Sequence, residues 1–262
     1  MIDFVKKDSY GLKDLETIVS ILRAPGGCPW DAEQTHESIR RDLLEESCEV
    51  IEAINDRDPA HLREELGDLL LQVYMHAEME KEQGRFTVDD VADGICKKLI
   101  FRHPHVFGDV QVANSDEVLV NWDELKREEK SQQTYTDTLT AVAKSLPALW
   151  RAEKVQKKAK KAGFDWSDAA GAVDKLSEEL DELKEAIAQG TNVQEELGDL
   201  LFAAVNVSRF VNADPEETLN AATGKFISRF AKVEQMALAQ GKDMAQMSLS
   251  ELDKLWEDAK RT

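Results

Sequence analysis

An all-α protein made of two tandem copies of one helical domain is the fold class this sequence predicts, and three observations predict it. Its 262 residues are 32% charged and 42% hydrophobic with only 13 Gly and 6 Pro, a mix suited to helices rather than many-stranded sheets. Apolar residues around its acidic segments recur at the period of a helix with one buried face. Those acidic segments also occur twice in the same order, the signature of a duplicated unit.

The repeat consists of paired blocks. LLEESCEV (43–50) and REELGDLLLQV (63–73) return as LSEELDEL (176–183) and QEELGDLLFAAV (194–205). The offset is 179 − 46 = 133 at the first acidic block and 196 − 65 = 131 at the second, so only the connection between them changes length. KLIFR (98–102) returns as KFISR (225–229), and NWDELK (121–126) as LWEDAK (255–260). The first copy is expected over 1–130 and the second over 143–262. Between them, KREEKSQQTYTDTLT (126–140) is polar and lacks a sustained apolar stripe, so a linker is expected over 131–142.

Each copy reads as an αα-hairpin. In the first, the acidic block runs into Asn55, Asp56, Arg57 and Asp58, and Pro59 can open the next helix. In the second, Leu176, Leu180, Leu183 and Ile187 form one stripe, and Leu197, Leu200, Leu201, Ala204 and Val205 another. Between these stripes Gly190 is a C-terminal stop, while Thr191 and Asn192 are capping candidates. The run LLFAAVNV (200–207) is apolar nearly all round, so its helix is expected to be largely buried. Such a hairpin cannot close its own core. Pairing of hairpins into four-helix bundles is expected, and with it a homodimer.

The hairpin geometry makes distant acids converge. Glu179 and Glu182 are three apart, as are Glu196 and Asp199, so each pair projects from one side of its helix. Their midpoints, 180.5 and 197.5, are symmetric about 189, at the turn. In the first copy Glu46/Glu49 and Glu65/Asp68 have midpoints 47.5 and 66.5, symmetric about 57. An isolated ExxE pair usually lies on a solvated face. Several carboxylates beside an apolar helix instead repel and lose hydration unless a cation compensates them, and all-oxygen ligands select Mg²⁺ or Mn²⁺ over zinc.

Composition narrows the partners. A formal net charge of −19 opposes binding to a nucleic-acid polymer, which normally needs a basic stripe, but leaves a small polyphosphate possible. Cys28, Cys48 and Cys96 are odd in number and lack CxxC spacing, so neither a disulfide framework nor a zinc site is expected. No segment reaches the apolar length of a membrane span, and a cytoplasmic protein is expected.

The EExxE and ExxD pattern on paired helices resembles the MazG family of all-α nucleoside triphosphate pyrophosphohydrolases. The resemblance extends to GGCPWD (26–31), RHPHVFGD (102–109) and GFDW (163–166), similar to the two-domain bacterial pattern. It implies Mg²⁺ held by Glu179, Glu182, Glu196 and Asp199, bridging triphosphate oxygens. Metal-activated water would attack the α-phosphorus, releasing nucleoside monophosphate and pyrophosphate from ribo- and deoxyribonucleoside triphosphates. Broad base specificity is expected.

Around this set stand further candidates, each with an ordinary reading beside it. Glu178 orients or deprotonates the water, or is a surface acid. Lys175 contacts phosphate, or is solvated. Lys225 and Arg229, four apart, reach outgoing phosphates or form a surface pair; they recur as Lys98 and Arg102. Trp256, repeated as Trp122, offers a stacking face or packs in a core. Asn206 interrupts an apolar run, to contact ribose or base or to bond another helix. Both copies keep the four acids, and the second, with its simpler pattern and Lys175, is favoured for catalysis. The first is then a weaker site, a regulatory site or a dimerisation scaffold. Three rivals remain: a nucleotide sensor, a helical adaptor, and a di-iron bundle, whose Glu-x-x-His spacing occurs only at Glu33 to His36.

Overall fold

The computed structural model describes residues 4–112, 114, 117, 118, 122, 125, 126, 129 and 132–261, and among these every regular element is helical. The chain divides into two compact units, Met1–Leu125 and Lys126–Thr262.

In the first unit, α1 (Leu12–Arg23) and the short α2 (Pro29–Glu33) precede the hairpin α3 (Arg40–Asp56) and α4 (Pro59–Glu82), and α5 (Val88–Arg102) and α6 (Pro104–Phe107) follow. The hairpin turns sharply because Arg57 adopts the left-handed conformation (φ 56°), its N–H donating to the Ala53 and Ile54 carbonyls. Asp58 then caps α4 by accepting from the N–H groups of Ala60 and His61, with Pro59 in the first turn. Helices α1 and α5 pack on α4. Val19, Ile39, Tyr74, Met75 and Met79 form the core there.

In the second unit, α7 (Tyr135–Thr140) and α8 (Ala148–Lys161) lead to the hairpin α9 (Ala169–Gln189) and α10 (Val193–Phe210), then α11 (Pro215–Ala239) and α12 (Leu249–Ala259). Asp168 caps α9 through the N–H groups of Ala170 and Gly171, and Gly190 ends it in the left-handed region at φ 70°. Thr191 and Asn192 were the expected caps for α10. Asn192 does occupy the N-cap position, but at φ 53° its side chain makes no capping bond. Glu195 and Glu196 in the first turn face the positive helix end instead. Helix α8 packs on both α10 and α11, and α11 packs on α12 around Val233, Ala237, Leu255 and Ala259. The Trp150 indole N–H donates to Asp214, the N-cap of α11, at 2.9 Å.

Two expectations need correction. Residues 132–142, expected within a linker, carry α7, which packs on α8 with Thr138 and Val142 buried. A capping box between Thr134 and Asp137 starts a helix that apolar periodicity does not reveal. Helix α10 is also less buried than its composition suggested. Only Ala203, Val205 and Asn206 are buried, while Leu201 is 52% exposed. Its neighbours α8 and α9 cover one side only. Within this unit the hairpin packs against α8 rather than against a second acidic hairpin.

Candidate active site

The antiparallel hairpins bring carboxylates together in both units. Oxygens of Glu179, Glu196 and Asp199 lie within 4.8 Å of one another, as do those of Glu46, Glu49 and Glu65. Each trio contains three of the four expected acids, and the missing member differs. Glu182 stands outside the second trio on an exposed part of α9. Partial desolvation and the negative charge of Glu179, with Glu178 and Glu196, still hold its pKa above the ordinary glutamate value, against the opposing pull of Lys175. Asp68 stands outside the first trio, yet its charge helps raise the Glu46 pKa, after desolvation and ahead of Glu49 and Glu65. Glu65, buried, is likewise raised by desolvation and then by Glu49.

The donor chemistry fits a hard divalent cation. Oxygen-only ligands whose negative charges crowd together are stabilised by a compact positive charge, and no His or Cys belongs to either trio. His36, the candidate ligand of a di-iron reading, bonds Glu80 at 2.6 Å and His76 at 2.7 Å instead.

Lys175 distinguishes the two clusters. Its ammonium contacts Glu179 at 2.7 Å and Glu178 at 2.9 Å, and these bonds raise its pKa. Glu179 is buried while Glu178 is exposed, so the lysine bridges the site's inside and its rim. The equivalent position in the first copy is Asp42 (175 − 133 = 42), which adds negative charge to Glu46.

A cavity of about 420 Å³ adjoins the second trio. Lys175, Glu179, Asp199 and Asn206 line it, four of the residues singled out from the sequence. Sequence reasoning missed Gln156, Asp165 and Arg209, which also line it. Arg209 pairs with Asp165 at 2.7 Å, their side chains 6% and 10% exposed, and donates to Asn206 Oδ1 at 2.5 Å. One signal was present: Asp165 lies within GFDW, and Arg209 is the only cation in α10.

Other candidates lie elsewhere in this chain. Lys225 and Arg229 sit on α11 outside the cavity lining, where Arg229 lowers the Glu257 pKa as a minor contribution behind Lys260. Trp256 packs at 5.1 Å from the Phe226 ring and against the α11–α12 core, the packing alternative. In the first unit, the Arg102 guanidinium lies 6.0 Å from the Trp122 ring centre, and Lys98 is half-buried on α5.

The model of the MazG nucleotide pyrophosphohydrolase domain matches residues 34–107 and 159–233, one match over each acidic hairpin. The chain belongs to the MazG family. A Thermotoga maritima relative named nucleoside triphosphate pyrophosphohydrolase/pyrophosphatase MazG is 43% identical over 248 residues, covering 95% of each chain. An Escherichia coli K12 nucleoside triphosphate pyrophosphohydrolase is 44% identical over 252 residues, 94% of this chain and 96% of its own. Bacillus subtilis YabN is 46% identical over 249 residues, which span 94% of this MazG chain and 51% of that protein. Among the described residues no helix is long and apolar enough to cross a membrane, and Cys28, Cys48 and Cys96 are free thiols.

Proposed function

We propose that the second unit of this MazG protein hydrolyses ribo- and deoxyribonucleoside triphosphates to nucleoside monophosphate and pyrophosphate with Mg²⁺, Mn²⁺ being a possible substitute. The observation that carries the reading is the contact between the carboxylate trio and a cavity: Glu179 and Asp199 belong to both. The names of the Thermotoga and Escherichia relatives support the same activity.

Glu179, Glu196 and Asp199 would hold the cation, with Glu182 completing the set from the rim. Bound there, Mg²⁺ supplies charge neutralisation for the triphosphate oxygens and a water of lowered pKa. Lys175, already poised between Glu178 and Glu179, swings its ammonium onto a phosphate oxygen when that charge arrives. Glu178, exposed and released from the lysine, is the acid placed to orient or deprotonate the attacking water. Lys225 and Arg229 are the proposed contacts for the leaving pyrophosphate.

Catalysis is assigned to the second copy for a structural reason. Asn206 and Arg209 correspond to Met75 and Glu78 in the first copy (206 − 131 = 75, 209 − 131 = 78), both buried there. With Asp42 in the place of Lys175, the first cluster lacks the polar wall and the cation that serve the second. The first unit is proposed as a scaffold or regulatory site that retains a weaker cation site.

A homodimer is proposed from the apolar area left open on the second hairpin: Leu180, Ile187, Leu197, Leu201 and Phe202 are all exposed. The proposed setting is the cytoplasm.

The deciding assay incubates the protein with each common triphosphate and Mg²⁺ and identifies the phosphorus product. Pyrophosphate is expected. Orthophosphate as primary product would overturn the chemistry, and binding without product would favour a nucleotide sensor. Glu179→Ala should abolish turnover while Glu46→Ala leaves most of it; the reverse would move catalysis to the first copy.

A further inference from the structure

A chain of titratable groups ties the start of the first acidic hairpin to its second helix. His36 stands in the turn between α2 and α3, while His76 and Glu80 lie one helical turn apart on α4. His36 Nδ1 meets His76 Nδ1 at 2.7 Å, and His36 Nε2 meets Glu80 Oε1 at 2.6 Å. The two imidazoles are within 8° of parallel with their centres 5.0 Å apart, so the nitrogen contact runs in line between the rings rather than face to face. Arg85 pairs with the same carboxylate. The second copy has Ala169, Val207 and Val211 at the matching positions (169 − 36 = 133, 207 − 76 = 131, 211 − 80 = 131), so the chain of groups belongs to the first unit alone.

Counting protons shows what this arrangement tolerates. An ionised carboxylate only accepts, so His36 Nε2 carries a proton, and two nitrogens at hydrogen-bond distance share one more. With the pair neutral, His76 Nδ1 donates to His36; with one positive charge on His36, the direction reverses. A second charge would put protons on both Nδ1 atoms across 2.7 Å, and His76 Nε2 is buried with no partner to receive the extra donor. Burial, and then the His36 charge, lower the His76 pKa below the ordinary 6.5. Arg85 first, and His36 after it, hold the Glu80 pKa down at about 2, so this carboxylate stays ionised and balances one imidazolium. The other charged groups around the pair are Arg85 after α4, Glu37 and Arg40 where the turn enters α3, and Arg23 of α1 with Glu82 of α4. Among the described residues only Glu80 bonds an imidazole of the pair.

The pair sits where a small movement is transmitted. Ile39, three residues after His36, is 3% exposed and packs in the core with Met75 and Met79, which flank His76 along α4. It is also the N-cap of α3 and supplies no side-chain cap. Upstream, the Arg23 guanidinium donates to the Asp31 and Gln34 carbonyls at 2.7 Å and 3.2 Å and pairs with Glu82, an anchor that contains no imidazole. The downstream anchor is the histidine pair.

We propose that His36 and His76 form a proton-operated latch: with at most one positive charge on the pair it holds residues 34–39 on α4, and a second charge opens it and releases the N-terminal end of α3, the helix that carries Glu46 and Glu49. An imidazole that closure keeps neutral contributes fully above its ordinary value of 6.5, and that contribution is lost as pH falls below it.

The test is amide hydrogen exchange of the full chain, read by mass spectrometry and corrected for the intrinsic exchange rate at each pH. One proton taken up on opening predicts that protection of residues 34–43 falls about tenfold between about pH 7.5 and about pH 5.5. The matching segment of the second unit, 167–176, contains no imidazole and should keep its protection. His36→Gln, at a side chain 40% exposed and therefore safe for folding, cannot take a charge and should abolish the step. Nitrogen NMR of the imidazoles gives a readout that a merely structural pair would not move. One ring of the pair should remain neutral at about pH 6 in the wild-type protein, and His76 should titrate at higher pH once His36 is replaced. Equal protection of 34–43 at both pH values in the wild-type protein, or a step that persists in His36→Gln, would overturn the latch. So would two rings that titrate independently near the ordinary histidine value.

Discussion

Removing the Asp165 carboxylate by Asp165→Asn leaves a buried guanidinium without its counter-ion. Arg209 is 6% exposed in its side chain, and its bonds of 2.7 Å and 3.4 Å to the carboxylate lose their charge assistance, one acceptor oxygen giving way to an amide nitrogen that cannot accept; around it remain the new amide oxygen, the Asn206 carbonyl and the Phe210 ring at 5.8 Å. Its Nε is already buried without a partner, so no other protein group replaces the lost acceptor. Breaking such a pair from one side costs about 3–5 kcal/mol. The surviving bond to Asn206 places the expected loss near the lower end, about 3 kcal/mol. For a unit of this size that corresponds to a fall of roughly 6–12 °C in melting temperature. Urea titration and calorimetry of the full chain would read it as a shift of the transition to which the second unit contributes. The double variant Asp165→Asn with Arg209→Met removes the uncompensated charge and should recover much of the loss, because an apolar pair of similar volume is close to neutral. A single variant within about 1 kcal/mol of wild type, or a double variant carrying the sum of two large losses, would refute the view that this pair is desolvated.

Four more outcomes are expected. Gly190→Ala should destabilise by about 1 kcal/mol, since Cβ is strained at φ 70° although nothing lies within 4 Å of it; an unchanged melting temperature would contradict this. Gly94→Ala, inside α5 with open space around it, should stabilise by roughly 0.5–1 kcal/mol in the same measurement. Glu251 has its pKa lowered from 4.5 to about 2, first by its bond to Lys242 and then by capping Ser248 at the start of α12. A depressed carboxylate stabilises fully above its unfolded pKa and loses that contribution as pH falls through the folded value. The melting difference between wild type and Glu251→Gln should therefore be constant above pH 4.5 and shrink toward about pH 2; a difference that grows on acidification would reverse the assignment. Light scattering should give twice the 29.5 kDa chain mass, and Leu201→Glu should lower it to one; a wild-type monomer would remove the proposed dimer.

The carboxylate clusters show how far local pattern reaches. Glu179, Glu196 and Asp199 were identifiable because spacing within a helix and symmetry about a short turn are both properties of neighbouring residues. The same reasoning treated Glu182 and Asp68 as equal members, and each stands outside its trio, because small rotations of one helix against another decide which oxygens converge. Lys225, Arg229 and Trp256 illustrate a further limit. Their recurrence in both copies marked them, but recurrence does not say what each touches: Trp256 packs on Phe226 and the α11–α12 core, while Lys225 and Arg229 lie outside the lining of the cavity. Helix α7 was hidden for a different reason: a single capping box and two buried residues over six positions are too short a signal for periodicity to detect.

By itself the sequence determined the duplication, the two hairpins, the acids they carry and the family resemblance, since all of these are encoded in spacing along one or two adjacent helices. Only the tertiary structure decided that a cavity opens beside one cluster, that Asp42 and Lys175 make the two clusters electrostatically unlike, and that Asp165 reaches Arg209 across 44 positions. The physical reason is one of range. Hydrophobic period and turn chemistry act over a few residues, whereas the pairing of a buried charge depends on how α8, α9 and α10 pack together.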